Sequence, residues 1–268
     1  MTERIALIGY GAIGLAVHRL LREHGGQSVE VVGILVRDPA RALQQSPEEA
    51  PLLTGSLHDL LDRRLTLAVE CAGHEAVDAH AETVLQAGVD LLLVSVGALA
   101  DSARHQALLQ TARSHSKRLI LPSGAIGGID WLSAARTAGL RQVTYRSRKP
   151  PAAWAGSAAA VQMDLVGLSS ARVFFRGTAR EAALQYPRNA NVAATVALAT
   201  LGFDRTQVEL IADPLVTANI HEIEADGCSG RMTLRIEGVP DARNPRSSVM
   251  TAHSVVRSIL NRNASVLM

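Results

Sequence analysis

The chain has 268 residues, enough for one large domain or two of ordinary size. Its 47% hydrophobic and 19% charged content excludes global disorder, and with aromatics at only 3% the core must be filled by Ala, Leu, Val and Ile. The net charge of +2 reflects 27 basic against 25 acidic residues with no basic, aromatic-laced tract, so no nucleic-acid partner is expected.

In chain order, residues 5–8 read as a buried strand and 13–23 as a helix with Leu15, Val17, Leu20 and Leu21 on its apolar side. Further strands are predicted at 30–36, 67–69, 91–94 and 119–121, with helical stretches between them. Near-continuous apolar strands separated by helices imply a parallel sheet covered on both faces, a doubly wound α/β domain over residues 1–123. Beyond Pro122 the texture changes. A glycine-rich turn leads to a helix near Asp130, a strand at 142–148 stops at Pro150-Pro151, and helices follow at 178–185 and 191–201. Strands at 207–212, 219–225 and 231–237 precede a last helix at 247–260. We expect an α+β substrate domain with a mixed or antiparallel sheet over 124–243, and a C-terminal helical segment, 244–268, that packs back on the first domain. Cys71 and Cys228 are too few for a disulfide framework. The N-terminus has no signal-peptide pattern and no apolar run is long enough to span a bilayer, so a cytoplasmic protein is expected with no membrane partner.

The most informative local motif is Gly9-Tyr10-Gly11-Ala12-Ile13-Gly14, after a strand and before a helix. The first glycine permits the tight turn, the second lets backbone approach a pyrophosphate, and the third permits close helix–strand packing. The helix N-terminus adds open N–H groups and a positive dipole end. This context makes the first domain Rossmann-like and Gly9, Gly11, Ala12, Ile13 and Gly14 candidate cofactor contacts. About twenty residues on, Asp38 can accept from ribose hydroxyls and Arg37 can pair with a 2′-phosphate, so NAD and NADP both stay open. Cys71 and Ala72 lie at the carboxyl end of a strand, where such sheets bind ligands; Cys71 reads as a small buried hydrophobe rather than a nucleophile.

The remaining candidates are polar side chains of the second domain. Thr178 and Glu181 fit a capping box, although the same helix mouth can receive a substrate carboxylate. Lys149, one of only two lysines, reads equally as a surface residue or a substrate ligand. His221 shares a strand face with Asn219 and Ile223, and an ordinary histidine pKa of about 6.5 suits proton transfer at neutral pH. The cysteine and histidine spacings form no metal set, and hydride chemistry on a nicotinamide needs no metal.

Taken together, the blocks SGAIGGID (123–130), KPPAAW (149–154), GTAREAA (177–183), PRNANVAAT (187–195), Ala212-Asp213-Pro214 and NIHEI (219–223) resemble the L-aspartate dehydrogenase family over essentially the whole chain. The resemblance implies cofactor contacts at Ala125 and Asn191 and an active-site role for His221. It implies NAD(P)-dependent oxidation of a dicarboxylic amino acid, L-aspartate, to iminoaspartate and then oxaloacetate and ammonia, in a cleft between two domains of a homodimer. A supply of iminoaspartate to NAD biosynthesis is a further implication. Cys228 departs from the family pattern, which carries an aromatic there. Two rival readings are a related reductase of another small dicarboxylate or imine, as in homoserine and dihydrodipicolinate reductases, and a non-catalytic dinucleotide sensor.

Overall fold

The computed structural model describes residues 2–241 and 244–267, in two compact units. The first unit holds residues 1–95, 102–122 and 252–268; the second holds 96–101 and 123–251.

The first unit alternates strands and helices: β1 (Glu3–Ile8), α1 (Ala12–His24), β2 (Val29–Leu35), α2 (Pro39–Gln45), β3 (Leu53–Thr54), α3 (Leu57–Leu61), β4 (Leu67–Glu70), α4 (His74–Gln86), β5 (Asp90–Leu93), α5 (Ser102–Ser114) and β6 (Leu119–Ile120). The six strands pair in parallel in the order β3-β2-β1-β4-β5-β6. The order reverses between β1 and β4, so the loops leaving these two strands border the crevice where doubly wound sheets take ligands. The edge strand β3 escaped the sequence reading because two residues carry no periodicity; it exists because Leu53 and Thr54 pair with Ile34 and Leu35.

In the second unit come α6 (Ile129–Ala138), β7 (Leu140–Lys149), α7 (Ala159–Gln162), β8 (Arg172–Thr178), α8 (Ala179–Gln185), α9 (Asn191–Ala199), β9 (Gln207–Ala212), β10 (Asn219–Gly227), β11 (Gly230–Gly238), β12 (Pro240–Asp241) and β13 (Asn244–Ser248). The main sheet is mixed, with order β11-β10-β7-β9-β8; only β7 and β9 run parallel. β8 was not predicted, since a bulge between Val173 and Phe175 breaks its alternation. Residues 96–101, expected with the first domain, instead form a 3-10 turn packed on α8 and α9. The chain ends with α10 (Met250–Leu260). Its expected start at 247 is corrected, because 244–248 pair with β12 as a strand.

The cores differ in kind. Ile5, Leu7, Val17, Ile34, Leu67, Val69 and Leu92 pack with Val255, Val256 and Ile259 of α10, an aliphatic cluster in which each buried side chain contributes about 1.5–3 kcal/mol. The second unit instead packs aromatics edge to face: Trp154 on Phe174, with centroids 4.8 Å apart, and Phe174 and Phe175 on Tyr186. Its main sheet buries one face and gives the other to ion pairs such as Arg146 with Glu209 and Glu224.

Candidate active site

At the end of β1 the chain turns through Gly9, whose φ of +99° favours glycine. A Cβ there would also lie 2.7 Å from the Cβ of Ala72, and a Cβ on Gly14 would overlap the Gly9 carbonyl oxygen. Gly11 is different. It is the N-cap of α1, has no side-chain cap, and a Cβ on it would meet nothing within 4 Å. Two glycines therefore hold the loop against its own protein, while the third faces open space beside the uncapped amides of Ala12, Ile13 and Gly14. That cradle fits a dinucleotide pyrophosphate. Tyr10, not singled out from sequence, anchors the loop: its hydroxyl lies 2.8 Å from His18 Nδ1, and burial pushes the phenol up to about 12.

The loop after β4 is set by a residue whose role the sequence reading also missed. Glu70 is 1% exposed, and its carboxylate accepts from the amides of Ala72 (2.8 Å), Gly73 (2.7 Å) and Ser95 (2.9 Å) and from the Ser95 hydroxyl (2.9 Å). Four bonds satisfy this buried charge and lock together the loops that follow β4 and β5. Only a charged residue ending an apolar strand could have signalled it. Cys71 packs partly buried against the aliphatic core, and burial, reinforced by Glu70, pushes its thiol well above the usual range, which suits a packing role. At the end of β2, the side chain of Arg37 is 97% exposed, 3.8 Å from Glu75. Asp38 caps α2, accepting from the Arg41 amide at 3.0 Å with one carboxylate oxygen.

In the second unit, strand alternation turns Tyr145, Ser147 and Lys149 of β7 to the buried face, and β10 sets His221 across from Ser147 and Ile223 across from Tyr145. His221 is 3% exposed and its Nδ1 lies 2.7 Å from the Tyr145 hydroxyl. Burial, with the positive charge of Lys149 behind it, lowers the His221 pKa to about 3. The expected near-neutral titration is therefore corrected: in the ligand-free protein this histidine is neutral throughout the physiological range. Lys149 is not at the surface. It is 3% exposed, with its ammonium 5.3 Å from the Trp154 ring centroid, a cation–π placement.

Two other candidates are already occupied. Thr178 forms the full capping box of α8: its hydroxyl accepts from the Glu181 amide at 3.2 Å while the Glu181 carboxylate accepts from the Thr178 amide at 2.7 Å. This supports the capping reading against a substrate ligand. Asn191 opens α9, but its Oδ1 accepts from the Gly97 amide at 2.9 Å, tying the 3-10 turn down. Only its carboxamide nitrogen is left to donate to a cofactor. Ala125 is buried in the turn between Gly124 and Gly128, both at positive φ. Among the described residues no group of three or more His, Cys, Asp or Glu could hold a metal ion. No helix there is long and apolar enough to cross a membrane.

A glycine cradle open at a helix N-terminus, at the switch point of a doubly wound sheet, places the chain among the nicotinamide-dependent oxidoreductases. Residues 9–122 match the NAD-binding domain of homoserine dehydrogenases, and residues 130–262 match the aspartate dehydrogenase C-terminal domain. The chain is 47% identical over 266 residues to an L-aspartate dehydrogenase of Ruegeria pomeroyi, covering 98% of this chain and 94% of that one. It is 44% identical over 265 residues to one from Cupriavidus necator, with 98% of each covered. The crystal structure of an aspartate dehydrogenase from Thermotoga maritima superposes with a TM-score of 0.76 over the whole of both chains at 26% identity. The chain belongs to the aspartate dehydrogenase family.

Proposed function

We infer that the protein is an NAD(P)-dependent L-aspartate dehydrogenase, which oxidises the amino-bearing carbon of L-aspartate to iminoaspartate; water then gives oxaloacetate and ammonia. The observation that carries this reading is the match of both units, over nearly the full length, to relatives named for this activity.

When bound, the oxidised nicotinamide supplies a hydride acceptor for the substrate α-carbon. The residues of the chain divide the remaining work. The open amides of Ala12, Ile13 and Gly14 and the bare Gly11 backbone hold the pyrophosphate, with Gly9, Cys71 and Ala72 forming the wall beside it. Asp38 accepts from the ribose with its second oxygen, and Arg37 meets a 2′-phosphate when NADP is used. Ala125 and the Asn191 carboxamide nitrogen take the nicotinamide end. Lys149 receives a substrate carboxylate, and His221 moves protons as water attacks the imine. A dianionic substrate beside Lys149 also cancels the field that helps hold the His221 pKa low, so His221 gains proton affinity when substrate arrives. The amine must be neutral to release hydride. The two free cysteines fit a cytoplasmic setting, and we extend the reading to a homodimer that supplies iminoaspartate to NAD biosynthesis.

The purified protein, given L-aspartate, homoserine or dihydrodipicolinate with each cofactor form, tests the reading by the absorbance of reduced nicotinamide. Aspartate should give oxaloacetate, ammonia and reduced cofactor in equal amounts at the highest kcat/KM. Faster turnover of another substrate overturns the aspartate reading, and cofactor binding without any turnover leaves a sensor.

A further inference from the structure

Tyr145 has no part in the family resemblance or in the division of labour above. It is one of the largest fully buried side chains, and its hydroxyl points at a histidine. In the antiparallel ladder Tyr145 stands opposite Ile223, so His221 is its diagonal neighbour, a relation that long aromatic side chains can bridge. The two rings lie nearly parallel, 16° apart in plane with centroids 6.0 Å apart, and the phenol oxygen reaches Nδ1 at 2.7 Å. The other groups around the imidazole are Ser147 and Lys149 from β7, Ile236 across the ladder from β11, and Asn219 on its own face of β10. Lys149 is a cation, unable to accept a hydrogen bond while charged, and Ile236 has no polar atom.

Who donates in the Tyr145–His221 bond follows from the chemistry of the pair. Burial pushes the Tyr145 phenol up, against a smaller lowering by Ser147 beside the same hydroxyl, so the phenol keeps its proton at neutral pH. Burial and Lys149 keep the imidazole neutral, so one of its two nitrogens is a bare acceptor. A phenol is a good donor and a poor acceptor, because its oxygen lone pair is drawn into the ring, whereas an imidazole nitrogen lone pair is free.

We propose that Tyr145 is the positioning residue of His221: its hydroxyl donates to Nδ1, fixes the ring as the Nε2–H tautomer, and leaves Nε2 as the one ring atom that meets substrate. The resting histidine then presents a hydrogen-bond donor. It enters the reaction beside the Lys149 ammonium as a hydrogen-bond donor to an anionic group of the substrate. The catalytic meaning of this contact rests on the acid–base reading of His221; its effect on the tautomer does not.

The test uses full-length, ligand-free protein labelled with ¹⁵N-histidine, with the His221 signals assigned by comparison with His221→Gln. In the wild type, Nε2 should resonate as a protonated nitrogen and Nδ1 as a hydrogen-bonded acceptor. Tyr145→Phe keeps the ring and removes only the hydroxyl; it should give a mixture of tautomers and lower kcat about three- to tenfold, the worth of one neutral hydrogen bond, with unchanged affinity for NAD. A wild-type protein in the Nδ1–H tautomer overturns the proposal without any variant, and so does a Tyr145→Phe protein with the wild-type tautomer and rate. If Tyr145→Phe scrambles the tautomer while His221→Ala keeps full turnover, the positioning of the ring stands and the acid–base reading of His221 falls.

Discussion

The two units handle polar chemistry in opposite ways. In the first, the groups left open at the candidate site are main-chain amides at the start of α1, and the side chains that matter most there are absent ones, at Gly9, Gly11 and Gly14. In the second, the groups are side chains: a histidine, a phenol and an ammonium, all buried on one face of a mixed sheet. Composition follows this division. Seven of the chain's eight aromatic residues fall in the second unit, where Trp154 lies against Lys149 and Tyr145 against His221, and only Tyr10 lies in the first. A backbone site needs nothing from its neighbours beyond room, so an aliphatic core suffices beneath it. A side-chain site needs burial to tune its charges, and here burial, with Lys149 beside it, lowers the His221 pKa to about 3.

If the first unit works through its backbone, its glycines should fail in different ways. Gly14→Ala should cost about 1–3 kcal/mol of stability in chemical denaturation, because its Cβ has nowhere to go. Gly11→Val should keep its fold, since a Cβ there meets nothing within 4 Å, and should lose NAD affinity by roughly ten- to a hundredfold through lost charge-assisted bonds. Calorimetry that finds unchanged affinity in folded Gly11→Val would remove the pyrophosphate from this loop. Arg37 sharpens the same contrast, as a side chain in a backbone site. Arg37→Ala should weaken NADP by about ten- to a hundredfold and NAD far less; equal losses would mean that Arg37 reads no phosphate.

For the second unit the contrast predicts a pH signature independent of activity. His221 has a folded-state pKa of about 3, below its unfolded value near 6.5, so between these limits the unfolded chain binds the extra proton. The stability from keeping this histidine neutral is complete above about pH 6.5 and is lost as pH falls toward 3, at up to roughly 1.4 kcal/mol per pH unit. Denaturation across this range should show the slope in the wild type and a shallower one in His221→Gln. The smallest effect belongs to Thr178→Ala, which should cost about 1 kcal/mol as a lost cap and leave KM for aspartate nearly unchanged. A large rise in KM would restore Thr178 as a substrate ligand.

The same division explains what could be read from the sequence. The glycine fingerprint and the parallel strands were legible because backbone demands leave fixed spacings and runs of apolar residues. β3 and β8 were not, one being too short for a period and the other interrupted by a bulge. Asp38, Thr178 and Asn191 were visible as polar residues near helix starts, but a sequence does not say which atom is already bonded, and each spends at least one acceptor on the protein's own amides. The near-neutral expectation for His221 failed because a pKa depends on what surrounds the ring. Lys149 lies 72 residues away in the chain and comes close only through the pairing of β7 with β10.

The most direct test of this division is His221→Ala assayed in two ways on one preparation: NAD affinity by calorimetry, and kcat for L-aspartate oxidation. Cofactor affinity should stay within about twofold of wild type and kcat should fall by roughly 10²–10⁴-fold, the range for a lost acid–base group. A folded His221→Ala protein with near-normal turnover would contradict this, leaving His221 as a structural strand residue and moving the proton chemistry to Lys149 or to water.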